Sequence, residues 1–215
     1  MKKIDFKYRL FGRSKGRKKN NNISDEVKKI IINSINPNNY NIIDIGSGYG
    51  ESTLEFAKQN KFKIIISCEK YIDGLNNIAR ECKIYSLSNV HVFNGNVNQL
   101  IDEYLVKDSI SEVWLLFPDP WPKKRHSKRR LINLIFFHNL NKILKKNSTI
   151  HIATDSKFYL SDILKCIYEI KSDFSWINQN KEEWDYSNLS LPKTKYFKKA
   201  LKNGLNPFYI KLLKI

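Results

Sequence analysis

The sequence predicts an α/β fold: a mostly parallel sheet with helices on both faces, closed near the C-terminus by an antiparallel strand pair. Three observations carry this expectation. Apolar strand-like runs alternate with helical stretches five times between residues 41 and 170. The runs are continuous in Ile, Val and Leu, the composition of strands buried on both faces, and they do not alternate with polar residues. After residue 171 the rhythm changes, and two further strand-like runs stand about 30 polar residues apart.

Each element has a local reason. Residues 1–22 are basic, punctuated by glycine and end in an Asn run; they hold too little apolar area to order alone. They read as a flexible arm before a single domain, residues 23–215. Ser24 is placed to cap a helix of about three turns over SDEVKKIIINSI, with Asp25 and Glu26 in the first turn, where the helix dipole favours acids. The strand and helix units then follow in pairs: NIIDIG (41–46) with ESTLEFAKQ (51–59), KIIISCE (63–69) with YIDGLNNIARECK (71–83), and NVHVFNG (89–95) with VNQLIDEYL (97–105). EVWLLF (112–117) precedes SKRRLINLIFFHNLNKILK (127–145), and STIHIAT (148–154) precedes SKFYLSDILKCIYEI (156–170). DFSWIN and NPFYIKLLK supply the closing pair.

Composition bounds the function. At 215 residues and 41% hydrophobic content, the chain is long enough to bury a continuous core, which rules out a hormone or a disulfide-stapled miniature. No apolar run reaches the roughly 18–20 residues that cross a bilayer, and the N-terminal segment lacks the apolar stretch of a secretory signal. A cytoplasmic protein is expected. Cys68, Cys82 and Cys166 are widely spaced without a CxxC pattern and read as reduced apolar residues. His91, His126, His138 and His151 have no ligand spacing, so no metal is expected.

The net charge is +17, and its distribution is uneven. Residues 1–19 hold nine basic residues and one acid, residues 123–130 six basic, and residues 193–215 seven basic with no acid, which leaves the rest of the chain at −4. A genome rich in A and T would also inflate Lys, Ile and Asn, but it would spread Lys evenly. The clustering points to a polyanion partner, nucleic acid before membrane, because no basic stripe backs an apolar one.

Asp44-Ile45-Gly46-Ser47-Gly48-Tyr49-Gly50 ends the first strand and runs into a helix. Glycines there let the backbone turn sharply and pass close under a ligand. The spacing is GxGxG after an acid, whereas dinucleotide sites use GxGxxG around a diphosphate that a carboxylate would repel. An acid at Asp44 suits a cationic ligand and points to S-adenosylmethionine, with its sulfonium and amino group. Glu69 ends the second strand, where a carboxylate can accept both ribose hydroxyls, and Asn96 follows the third, where an amide oxygen can accept from an adenine amino group. Taken alone, Glu69 is equally a solvated strand end.

After the fourth strand comes Phe117-Pro118-Asp119-Pro120-Trp121-Pro122, followed by Lys123, Lys124, Arg125, Lys128, Arg129 and Arg130. The prolines hold Asp119 rigidly at the sheet edge. Trp121 offers a flat face to a base and the cations can meet phosphates; the plainer alternatives are a core Trp and a solvated helix start.

FPDPWPKKRHSKRR resembles the signature of the tRNA (guanine-N7)-methyltransferases. IATD (152–155), TKYF (194–197) and GRSKGR (12–17) are similar to that family's other motifs. The resemblance implies a Rossmann-like class I methyltransferase fold, S-adenosylmethionine as methyl donor, and transfer to N7 of a tRNA guanosine in the variable loop. It places Asp44, Glu69, Asn96 and Asp119 where the family contacts the donor or positions the chemistry, with Asp119 in the chemistry; Gly46, Gly48 and Gly50 are expected at the donor from the turn they form. It places Lys123, Asp155 and the segment Thr194, Lys195, Tyr196, Phe197 at the substrate, where Trp121 by its own chemistry is expected, and Arg125, Lys128, Arg129 and Arg130 at RNA. The chain departs from the family pattern at Asn96, usually Asp, at Phe197, usually Glu, and at Lys199, usually Arg. Two other readings compete: a non-catalytic RNA-binding protein on the same fold, and a nicotinamide-dependent oxidoreductase. The second lacks the glycine spacing and a Tyr-x-x-x-Lys or Cys/His hydride site.

Overall fold

The computed structural model describes residues 22–215; the proposed arm and its GRSKGR run, apart from Asn22, lie outside the described residues. Seven strands form one sheet in the order β3-β2-β1-β4-β5-β7-β6. The first five, β1 (Tyr40–Ile45), β2 (Lys63–Glu69), β3 (Val90–Asn94), β4 (Ile110–Leu116) and β5 (Leu144–Thr154), are mutually parallel. β7 (Phe208–Lys214) pairs antiparallel with β5 and with β6 (Phe174–Trp176), so the expected closing pair forms with the later strand inserted inside the earlier one.

Successive residues along each strand feed two apolar layers. Ile43, Ile66, Val113, Leu115, Ile150 and Ile152 face one cluster, which holds side chains of α4 (Val97–Tyr104), α5 (Leu134–Ile143) and α6 (Lys157–Glu169). Ile42, Ile65, Trp114 and Tyr209 face the other, with α1 (Asp25–Ile30), α2 (Glu51–Gln59), α3 (Ile72–Ile84) and α8 (Lys195–Lys202). A short α7 (Lys181–Trp184) lies in the polar stretch before α8. Among the described residues no helix is long and apolar enough to cross a membrane.

Two expected helices are cut short. Ser24 caps α1 as predicted, but the helix ends at Ile30 because Ile31 turns extended and bridges to Val92 while the Ile32 N–H donates to the Val92 carbonyl at 3.0 Å. The β-branched Ile run thus pairs with the free edge of β3, a partner local propensity does not register. The helix predicted over 127–145 splits into a 3₁₀ helix, Lys124–Arg129, an extended link, and α5, whose N-cap Asn133 accepts from the Phe136 N–H. The link is held out of helix by long-range bonds: the Ile132 N–H donates to the buried Tyr159 hydroxyl at 2.9 Å, and Arg130 turns back onto the preceding loop.

β1 is central and its neighbours are β2 on one side and β4 on the other, so the chain leaves it in opposite directions. Such a switch point opens a crevice beyond the C-terminal strand ends. The glycine turn leaves β1 there and the Pro118 loop leaves β4 there.

Candidate functional site

The glycine turn is built by three left-handed residues, Gly46 (φ 72°), Gly48 (φ 58°) and Gly50 (φ 83°). A Cβ on Gly46 or Gly48 would meet nothing within 4 Å, so open space lies beside the backbone at those two positions. A Cβ on Gly50 would fall 2.2 Å from the Ile78 side chain, and one on Gly74, in α3, would fall 2.0 Å from the Gly48 carbonyl oxygen. Gly74 escaped the sequence reading; its signal is a glycine inside a helix, a costly choice unless backbone must approach backbone. α3 also clamps the turn through Asn77, whose amide donates to the Tyr49 carbonyl at 2.9 Å.

Asp44 lies beneath this turn and is 1% exposed. Its Oδ2 accepts from the Ser52 hydroxyl at 2.6 Å and the Thr53 hydroxyl at 2.7 Å, both in the first turn of α2. Burial pushes its carboxyl up to about 6; the two hydroxyls work against that rise and the Glu69 charge adds to it. Glu69 folds over the turn from the end of β2. One oxygen accepts the Gly48 N–H at 2.8 Å, and the other accepts the Lys70 and Tyr71 N–H groups at 2.7 and 2.9 Å. A carboxylate bonded to loop amides is preorganised beside the open space, in position to exchange partners with a ligand hydroxyl. Asn96 is buried and caps α4, its Oδ1 accepting from the Asn98 N–H at 2.8 Å, so the amide oxygen expected at a ligand serves the helix.

Lys70 is a second residue the sequence left unremarked. It is partly buried, which lowers its pKa, while the charges of Glu69 and Asp119 pull the other way. It therefore links the β2 end electrostatically to the β4 loop across β1.

That loop is bracketed by two non-glycine residues in the left-handed region, Phe117 (φ 58°) and Trp121 (φ 44°). Bulky residues adopt this conformation only when the surroundings impose it. Arg130 does so at Trp121: its Nε donates to the Pro120 carbonyl at 2.7 Å, Nη2 to the Trp121 carbonyl at 3.1 Å, and Nη1 pairs with Asp162 of α6, while the Phe117 N–H is held by the Ala153 carbonyl at 2.8 Å. The Arg130 side chain is 10% exposed. Expected at RNA phosphate, it has these donors turned inward, to shape the loop that presents Asp119. Asp119 itself is exposed.

Trp121 is half-buried, not a core residue, with Arg129 over its ring at 4.9 Å and His126 edge-on at 5.8 Å. Lys123, Arg125 and Lys128 are exposed along the 3₁₀ helix. The His126 pKa is lowered, by desolvation and then by Arg129, Arg125 and Lys123. Asp155 follows β5 at the same sheet edge and is half-buried.

The 194–197 segment reaches this edge through the start of α8. The Lys195 N–H donates to the Glu51 carboxylate at the start of α2, and the Lys195 ammonium lies 5.7 Å from the Tyr49 ring centre. Tyr196 is exposed. Thr194 and Phe197, expected at the substrate, have structural partners. Thr194 is buried and caps α8 by accepting the Phe197 N–H, and Phe197 is 5% exposed, its ring packed 5.1 Å from that of Tyr186. The aromatic residue at 197 therefore meets a core, as its departure from the family's acid requires.

Among the described residues no cluster of three His, Cys, Asp or Glu side chains could hold a metal. His151 is an internal packing residue, stacked 3.9 Å from Trp114 with its ring nitrogens bonded to Thr149 and Tyr209. Cys68, Cys82 and Cys166 are all free thiols.

Residues 38–209 match a family described as "Putative methyltransferase". A tRNA (guanine-N(7)-)-methyltransferase of Buchnera aphidicola is 36% identical over 177 residues, which cover 81% of this chain and 71% of that protein. The proteins of that name from Jannaschia sp. and Neorickettsia sennetsu are 30% and 34% identical; the matches cover 78% and 61% of this chain and 70% and 60% of theirs. Two solved structures share the fold. One is an antibiotic related methyltransferase (TM-score 0.58, 17% identity, 90% of this chain and 96% of that one), and the other a Streptococcus mutans chain in complex with SAH (TM-score 0.55, 11% identity, 89% and 94%). The family match runs from the start of β1 into β7, through every strand that shapes this edge of the sheet, and the chain belongs to the tRNA (guanine-N(7)-)-methyltransferase family.

Proposed function

We propose that this chain methylates N7 of a guanosine in the variable loop of tRNA with S-adenosylmethionine as donor. It would do so as a cytoplasmic enzyme, in one domain over residues 23–215 preceded by a basic arm, residues 1–22. The observation that carries this reading is the juxtaposition, across the switch point, of an acid-backed glycine turn with the Asp119 loop and its basic 3₁₀ helix. SAH, bound to a protein of like fold, is the demethylated form of the proposed donor.

The residues present fit that donor. Open space beside Gly46 and Gly48 lets a ligand lie against the backbone, and Glu69 can pass from the loop amides to ribose hydroxyls without moving off the strand end. Asp44 puts a buried negative charge behind the turn, facing a cation. Gly50 and Gly74 keep α2 and α3 close enough to hold the turn's shape, and Asn96 fixes the start of α4 at the adenine end.

When bound, the donor supplies a methyl group on a sulfonium, so the guanine N7 lone pair forms the new N–C bond as the C–S bond breaks and the positive charge passes to the base. No proton leaves N7, so no general base is required, and catalysis rests on positioning and charge. Asp119, held by the Arg130-stapled loop, and Asp155 place negative charge at the edge where the purine becomes cationic. Trp121 walls the base. Lys123, Arg125, Lys128 and Arg129 meet phosphates, and Lys195 and Tyr196 approach from the far side of the glycine turn.

The test is incubation with unmodified tRNA and methyl-labelled S-adenosylmethionine, followed by nucleoside analysis. Label in 7-methylguanosine is expected; label in another nucleoside, or none, overturns the reading.

A further inference from the structure

Phe158 stands 75% exposed in the first turn of α6. It follows Asp155 by three residues, at the same C-terminal sheet edge as the glycine turn and the Asp119 loop. The core side of this helix is formed by Tyr159, Ile163 and Ile167, so Phe158 has no part in the apolar cluster.

The first turn of α6 is firmly held. Ser156 caps it by accepting the Tyr159 N–H, and the buried Tyr159 hydroxyl accepts from Ile132. Arg130 joins Asp162 to the Pro120 and Trp121 carbonyls. Asp162 lies four residues after Phe158, hence on the same helix face, and helical side chains lean toward the N-terminus. The Phe158 ring is therefore directed one turn outward from the bridge that fixes the Asp119 loop. Lys157 beside it is exposed, and the cations of the 3₁₀ helix lie across that bridge.

We infer that Phe158 is a stacking platform for an unpaired tRNA base beside the methylated guanosine. This rests on the tRNA reading above and adds a substrate contact to it. A phenyl ring offers a π-face and no hydrogen-bonding group, so it accepts any base and contributes affinity without sequence choice. Position separates Phe158 from Phe62 and Tyr168; Tyr49 and Tyr196 are exposed at this same edge, on the glycine turn and α8, and of these three rings Phe158 is the one on the helix that carries Asp162. Phe62, 94% exposed, precedes β2 at the opposite sheet edge, and Tyr168 lies at the far end of α6 beneath the Lys171 ammonium.

Stacking and phosphate contacts differ in their salt signature. Phe158→Ala should weaken binding of unmodified tRNA roughly fivefold or more. The slope of log affinity against log salt, the S-adenosylmethionine affinity and the thermal midpoint should all stay at wild-type values. Phe158→Trp should restore binding and Phe158→Leu should not. Lys128→Ala is the comparator and should lower that slope by about 0.7–0.9. Wild-type tRNA affinity in Phe158→Ala, or full rescue by Phe158→Leu, would overturn the stacking role while leaving the methyltransferase reading intact. A chain that binds tRNA but forms no 7-methylguanosine overturns the parent reading, and the placement beside a methylated guanosine with it.

Discussion

Asp44→Asn tests whether the buried acid under the glycine turn is kept for a cationic ligand at the expense of the fold. The carboxyl has a folded-state value of about 6 against an ordinary 3.8, caused first by burial. Each pKa unit is worth about 1.4 kcal/mol, so ionised Asp44 costs the native state about 3 kcal/mol at neutral pH relative to the neutral acid. An Asn amide is isosteric, carries no charge, and its oxygen can still accept from Ser52 and Thr53. Its nitrogen, if left without an acceptor, returns about 1–2 kcal/mol of that. The variant should therefore be more stable at pH 7 by about 1–2 kcal/mol, roughly 2–8 °C in Tm for a chain of this size. The sign follows from linkage: the folded value lies above the unfolded one, so the native state binds more protons between about pH 4 and 6, and the wild type loses stability as pH rises through that window. Urea denaturation of both proteins from pH 4 to 8 should give curves that diverge through that window and run parallel above it. Calorimetry at pH 7 should show S-adenosylmethionine binding weakened at least tenfold in the variant. Parallel stability profiles throughout would refute the buried-charge argument, and unchanged donor affinity would refute the purpose assigned to the charge.

Glu69→Ala should weaken donor binding by roughly 1.5–3 kcal/mol, the worth of charge-assisted bonds to ribose hydroxyls, as read by calorimetry; wild-type affinity would remove Glu69 from the site. Asp119→Ala should lower turnover on tRNA at least tenfold with donor affinity within a factor of a few, and turnover equal to wild type would end its catalytic assignment. Arg130→Ala should lower stability by about 1–2 kcal/mol, since two loop carbonyls lose their donor while the partly exposed Asp162 keeps Lys165 and solvent, and a filter-binding salt titration should give an unchanged slope. A slope lowered by about 0.7–0.9 would instead restore Arg130 to the phosphate-binding set.

Much of this protein is legible without a structure because its determinants are local. The five strand and helix units appear as continuous Ile and Val runs followed by helical stretches, since burial on both faces demands such runs wherever the strands lie. The GxGxG turn declares itself because only glycine adopts three left-handed positions in five residues. The proline-framed Asp119 is equally conspicuous. Contacts between distant residues are not written in any window of sequence. Ile31 leaves its helix for Val92, 61 positions away, and nothing between residues 24 and 35 announces that partner. Arg130 is one of six cations in eight positions, and what separates it from Lys128 is a carboxylate 32 residues later on another helix. Phe197 and Phe158 present the same contrast: two phenylalanines on helices, one placed under Tyr186 and the other at the open sheet edge. Side-chain chemistry states what a residue can do. Which of those things it does depends on what the fold brings within reach, because hydrogen bonds, ion pairs and apolar burial all act over a few ångströms, and only the folded chain sets those distances.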